Sequence, residues 1–117
     1  MRGYIRVYDC ENNISVQWTR YPITRLKIPF ETGIAEANTI NDKDWWITRV
    51  LVNPKSLRNK GIGSRILTRL CKEIRKKNYK SISVAPGGYD NDKSRQFKFY
   101  QKNGFRISTT SKELLLL

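Results

Sequence analysis

At 117 residues the chain can form one domain (1–117) with a modest core and is too short for two. It contains no histidine, which excludes Ser-His-Asp and Cys-His nucleophile pairs and the commonest zinc ligand; no metal is expected, and any catalysis falls to Tyr, Asp, Glu, Lys, Ser or backbone groups. A net charge of +13, from 23 Lys+Arg against 10 Asp+Glu, favours polyanionic partners: RNA, DNA, acidic proteins or phosphorylated cofactors.

No stretch approaches the roughly 18 consecutive apolar residues of a membrane span, and the N-terminus lacks the apolar run of a signal peptide, so a cytoplasmic protein with no membrane partner is expected. Cys10 and Cys71 form no CxxC pair. Both read as free thiols, with Cys71 a small buried hydrophobe.

In chain order, "YIRVY" (4–8) and "ISVQW" (14–18) alternate apolar and polar residues around a turn-like "DCENN", which predicts two antiparallel strands. Pro22 and Pro29 bracket "ITRLKI", for which an edge strand is one placement. "GIAEANTI", "NDKD" and "WWITRVLV" read as strand, tight turn, strand. The second of these strands is apolar on both faces, as a central strand must be, and Pro54 ends it. From Gly61 the period changes: Ile62, Ile66, Leu67, Leu70, Cys71 and Ile74 recur at helical spacing while Arg65, Arg69, Lys72, Arg75 and Lys76 take the other face. "SISVA" is a short strand, "PGGYDND" a loop, and "KSRQFKFYQKN" a helix closed by Gly104. "FRIS" and "ELLLL" read as the last strands. The sum is a mixed α/β fold, with antiparallel strands first and then a helix crossing between parallel strands.

Gly61 and Gly63 stand where a strand hands over to a helix, whose first four N–H groups have no internal acceptor. Glycine allows an anion to approach the backbone, the helix dipole adds about half a positive charge, and Arg58 and Lys60 add full ones. "RNKGIGS" therefore has the chemistry of a phosphate cradle, to which Ser64 adds a hydroxyl. The other reading is a tight turn whose glycines serve packing. A dinucleotide fingerprint would need a third glycine at Ile66, and the Gly-Lys-Ser/Thr ending of a P-loop is absent.

Arg58-Asn59-Lys60-Gly61-Ile62-Gly63 resembles the R/Q-x-x-G-x-G/A motif of the GNAT (Gcn5-related N-acetyltransferase) superfamily. "ITRVLVNP" before it is similar to that family's fourth strand, and "FYQKNGF" (99–105) to its "FYEKxGF" segment. The likeness covers residues 33–107. Family members usually place two helices between their first two strands; "YIRVYDCENNISVQW" has no room for them, so a minimal member with a shortened acceptor region is expected.

The resemblance implies acetyl-CoA as cosubstrate. Backbone N–H groups from Arg58 to Ser64 (Arg58, Asn59, Lys60, Gly61, Ile62, Gly63 and Ser64) would hold its pyrophosphate. Leu51 and Val52 would pair with the pantetheine arm, and an N–H near Val50 would meet the acetyl oxygen. Tyr100 matches the tyrosine that protonates the departing thiolate, with Phe99 as core. Lys93 occupies the family's usual asparagine position seven residues before this tyrosine, and Asn91, two residues away, is a candidate to substitute. "WWITRVLV" carries no carboxylate to act as base, which leaves Glu36 and Asp44 as candidates. A lysine amine costs roughly 4 to 5 kcal/mol to deprotonate at neutral pH and an α-amine about 1 kcal/mol, so an α-amine acceptor on a protein or an aminoacyl-tRNA suits a weak base better. The expected protein is an N-acetyltransferase acting on a macromolecular amine, as monomer or homodimer. The alternative is a catalytically silent GNAT fold serving as a basic nucleic-acid- or protein-binding module, with Arg20, Arg25 and Lys27 pairing phosphates and Trp18 and Tyr21 stacking bases.

Overall fold

The computed structural model describes residues 3–20, 32–53, 55–58, 60–85, 93–107 and 114–116. The "ITRLKI" segment, the "PGGYDND" loop, Pro54, Asn59 and Asn91 lie outside them, and for Lys93, Ile107 and the last strand only the backbone is described. In chain order the elements are β1 (Gly3–Cys10), β2 (Asn13–Arg20), β3 (Thr32–Thr39), β4 (Asp44–Asn53), a single 3-10 turn (Lys55–Leu57), α1 (Ile62–Arg75), β5 (Ser81–Val84), α2 (Lys93–Lys102), β6 (Phe105–Ile107) and β7 (Leu114–Leu116).

The strands form one mixed sheet in the order β1-β2-β3-β4-β5-β7-β6. β1 to β4 run antiparallel, with Cys10 paired to Asn13 across a two-residue turn. That hairpin excludes helices between the first two strands, as the sequence predicts. β4 and β5 are parallel, and α1 is the crossover between them. The chain then inserts its last strand, β7, between β5 and β6, antiparallel to both.

Strand residues of period two explain where α1 sits. On β3 the buried positions are Gly33, Ala35, Ala37 and Thr39. Ile14, Val16 and Trp18 of β2 stand opposite Ala37, Ala35 and Gly33. The small side chains of β3 let Ile62 and Ile66 of α1 descend onto the sheet: a Cβ on Gly33 would lie 3.2 Å from Ile66 Cδ1 and 3.3 Å from Ile62 Cγ2. Ile66, Leu67, Leu70 and Ile74 are thereby removed from water. Each such aliphatic side chain contributes about 1.5–3 kcal/mol of burial free energy. Gly33→Val forces this contact apart and is expected to cost about 1–3 kcal/mol, read as a lowered urea midpoint at unchanged slope.

One sequence expectation is corrected here. Trp18 is 1% exposed, and a Cβ on Gly3 would overlap its indole ring. A ring packed this way cannot stack a base. Its even-numbered position on β2 points it at the α1 layer, where the hydrophobic effect outweighs any surface role. Arg20 is exposed, while Tyr21, Arg25 and Lys27 lie outside the described residues.

Candidate active site

β4 and β5 pair only at Asp44↔Ser81, Trp45↔Ile82 and Trp46↔Ser83. From Ile47 onward β4 keeps β3 on one side and, among the described residues, has no strand on the other. A bulge coincides with the parting. Ile47 pairs with Ala37 and Arg49 with Glu36, which leaves Thr48 as the extra residue on β4. An inserted residue increases local twist and reverses which face later residues occupy, so the buried position moves from Ile47 to Val52.

The gap left by the parting is a groove of about 380 Å³. β4 lines it from Ile47 to Val52, Val84 and Ala85 close the β5 side, Arg58, Gly61, Gly63 and Ser64 form one end, and α2 supplies Arg95, Gln96, Phe99, Tyr100 and Lys102. Its chemistry is that of a bare strand edge leading to the N-terminus of a helix.

The two glycines of that end have different reasons. Gly61 is in the left-handed conformation at φ 82, and a Cβ there would meet nothing within 4 Å. Backbone conformation alone demands glycine at this position. Gly63 is required by contact: a Cβ would fall 3.3 Å from Phe99 Cε1 and 3.4 Å from Cζ. Among the described residues no side chain caps α1, and its first turn contains no acidic residue, so the N–H groups of Ile62, Gly63 and Ser64 have no intrahelical acceptor at the end of the groove that Gly61, Gly63 and Ser64 line. Ile62 places its side chain in the core, and Lys60 is exposed beside the corner. Arg58 donates from Nε to the carbonyl of Val52 at 3.2 Å, which ties the turn to the end of β4. Asn103 Nδ2 donates to Ser64 Oγ at 3.1 Å and to the Phe99 carbonyl at 2.8 Å, clamping α2 to the start of α1.

Tyr100 is 6% exposed and stands edge-on between Phe99 and Phe105, at centroid distances of 5.1 and 5.3 Å. Burial, with a smaller contribution from Cys71, pushes its pKa up to about 12. Phe99, expected in the core, is half-buried: it packs under Gly63 and lines the groove.

The two candidate bases are placed apart. Asp44 lies at the closed end of β4, where its carboxylate accepts from Asn41 Nδ2 at 2.9 Å and from Ser81 Oγ at 2.7 Å. Those bonds, Asn41's first and Ser81's second, hold its pKa below the usual carboxylate value. They commit it to joining β4 to β5, and it does not line the groove. Glu36 does not line the groove either, but it reaches it through the bulge: Thr48 Oγ1 donates to Glu36 Oε1 at 3.0 Å, and Arg49 Nε lies 3.5 Å from the same oxygen. Thr48, Arg49, Arg95, Gln96 and Lys102 were not singled out from sequence. Gln96 and Arg95 stand one helical turn before Tyr100 and Phe99, a spacing that would have found them. The bulge left no sequence signal.

A family model described as an acetyltransferase (GNAT) domain matches residues 27–107, more than half of the chain. The chain belongs to the GNAT acetyltransferase domain family. No curated protein matches its sequence. Among solved structures this GNAT chain is similar to the IAA acetyltransferase from Bacillus cereus ATCC 14579 (TM-score 0.63, 21% identity), covering 84% of this chain and 58% of that one. It is similar also to a GNAT family acetyltransferase from Elizabethkingia anophelis with acetyl-CoA bound (TM-score 0.59, 23% identity, covering 80% and 56%). The anti-CRISPR protein AcrVA5 matches with TM-score 0.62 at 16% identity, covering 88% of this chain and 98% of that protein. At these identities the likeness concerns the fold. The chain spans little more than half the length of the first two relatives and nearly the whole of the third.

Proposed function

We propose that this GNAT chain transfers an acetyl group from acetyl-CoA to an amine, and that the amine belongs to a macromolecule. The observation that supports this best is one continuous groove joining an unpaired β4 edge to the uncapped start of α1, with Tyr100 in its wall. The residues present fit the cosubstrate. The amides of Ile62, Gly63 and Ser64 offer hydrogen bonds to a diphosphate, with Lys60 adding charge. Backbone groups of Val50 to Val52 on the edge away from β3, other than the Val52 carbonyl that Arg58 holds, are available to pair with the amides of the pantetheine arm as an added strand would. Acetyl-CoA itself supplies the activated acyl group and a thiolate leaving group.

The remaining chemistry falls to side chains at the bulge and on α2. Thr48 Oγ1 faces the groove and donates to Glu36, so its lone pairs can accept a proton from the incoming amine while its own proton passes to Glu36 Oε1. Tyr100 O–H is the donor available to the departing sulfur. An acceptor amine that is easy to deprotonate suits this indirect base, which favours an α-amine on a protein or aminoacyl group over lysine.

Thermal unfolding with acetyl-CoA tests the reading directly. Ligand at about 100 times its dissociation constant should add about 2.7 kcal/mol of stability. An unshifted melting curve removes the cosubstrate and the function with it. If acetyl-CoA binds, mass spectrometry of a peptide mixture incubated with protein and acetyl-CoA should show α-amine products in excess; a mixture acetylated on lysine alone overturns the acceptor assignment.

A further inference from the structure

The positive charge is concentrated in the second half of the chain. Of the 23 Lys and Arg, thirteen fall between residues 60 and 106, against three of the 10 Asp and Glu. That stretch builds α1, β5, α2 and β6. α1 and α2 adjoin through Gly63 against Phe99 and through Asn103 on Ser64. Of their residues, Arg65, Lys72, Arg75 and Lys98 are exposed and do not line the groove, and exposed Lys76 follows α1. The one acid on the two helices, Glu73, is already taken by Arg69 at 2.9 Å and Lys76 at 3.2 Å.

A cosubstrate in the groove does not account for this face. A rise of 1.5 Å per residue sets Lys72 and Arg75 roughly 16–21 Å from the Gly61 corner, about two Debye lengths at physiological salt. An acidic protein does not account for it either, because protein interfaces draw their energy from a buried apolar or aromatic centre. The large exposed hydrophobic residues among those described are Tyr8, Ile40 and Tyr79, and none lies on α1 or α2. Nucleic acid needs no such centre, since phosphate contacts alone carry sequence-independent binding.

We propose that the outer face of α1 and α2 binds the phosphate backbone of nucleic acid, separately from the acetyl-CoA groove and without reading bases. The face has cations at helical spacing and no exposed aromatic ring to stack on. This binding stands whether or not the transferase reading does.

The test is fluorescence anisotropy with a labelled, mixed-sequence single-stranded RNA of about 30 nucleotides, titrated from about 50 to about 300 mM salt. The triple variant Lys72→Gln/Arg75→Gln/Lys98→Gln changes only exposed residues outside the groove. It should lower the slope of log affinity against log salt by about 2 and weaken binding at least about tenfold at low salt. The acetyl-CoA-induced melting shift should stay as in the unaltered protein. RNA should also protect Lys72 and Lys98 from a lysine-modifying reagent in the unaltered protein. Absent RNA binding, unchanged affinity in the variant, or displacement of RNA by poly-L-glutamate at equal charge concentration overturns the proposal, the last in favour of an acidic protein. Loss of the acetyl-CoA shift with RNA binding intact would instead remove the transferase reading alone.

Discussion

Ser64→Asp is expected to weaken acetyl-CoA binding at least about 100-fold while leaving the fold intact. Ser64 lies in the first turn of α1 and lines the end of the groove formed by that turn. A carboxylate there interacts favourably with the helix dipole and with N–H groups that now lack a cap, so the helix itself gains. A diphosphate arriving at the same amides meets a like charge: at about 5 Å and an effective dielectric of about 20, the repulsion is about 3 kcal/mol, enough for the stated loss. Asn103 Nδ2, which donates to Ser64 Oγ at 3.1 Å, can donate to the new carboxylate instead. Calorimetric titration with acetyl-CoA, beside a urea unfolding curve, separates the outcomes. Undiminished binding would show that the diphosphate does not rest on these amides.

The second large effect is on rate. Tyr100→Phe should lower turnover by about 10²–10³ with acetyl-CoA affinity unchanged, since losing one hydrogen-bond donor aimed at developing charge costs on that order. Burial raises the Tyr100 pKa to about 12, so the phenol keeps its proton throughout the neutral range. Complete transfer from such a phenol to a thiolate of pKa about 8.5 would cost about 5 kcal/mol. Tyr100 is therefore expected to act by donating a strong hydrogen bond to the sulfur as charge develops on it, rather than by giving the proton up. Thiol release, measured with a peptide bearing a free α-amine, should then show no tyrosine-dependent fall in rate up to about pH 10. Equal turnover in the phenylalanine variant would move this role elsewhere in the groove wall.

Burial also raises Cys71 to about 11. Both Cys71 and Tyr100 hold their protons more tightly folded than unfolded, so stability is intact below their unfolded values. It is lost as pH climbs through about 11 and 12.

How much of this was legible in the amino-acid order depends on the range of the forces involved. The helical recurrence of Ile62, Ile66, Leu70 and Ile74, the alternation along β3 and the closing Gly104 are local patterns, and each element is found where its residues predict it. The glycine corner and the "FYQKNGF" segment likewise pointed to the GNAT family before any coordinates.

Placement across the sheet was not legible. Trp18 reads equally well as a stacking ring or a core ring until β3 supplies Gly33 opposite it and α1 covers both. Asp44 and Glu36 are two carboxylates on neighbouring strands. Only the pairing of β4 with Ser81 at one end, and a bulge at Thr48 nearer the other, makes the first a structural brace and brings the second to the groove.

The sequence by itself determined the elements, the glycine turn at the start of α1 and the family, because these rest on patterns within a few residues. The tertiary structure alone decided where β4 and β5 part and which carboxylate reaches the gap. Those outcomes depend on pairing and packing between residues far apart in the chain.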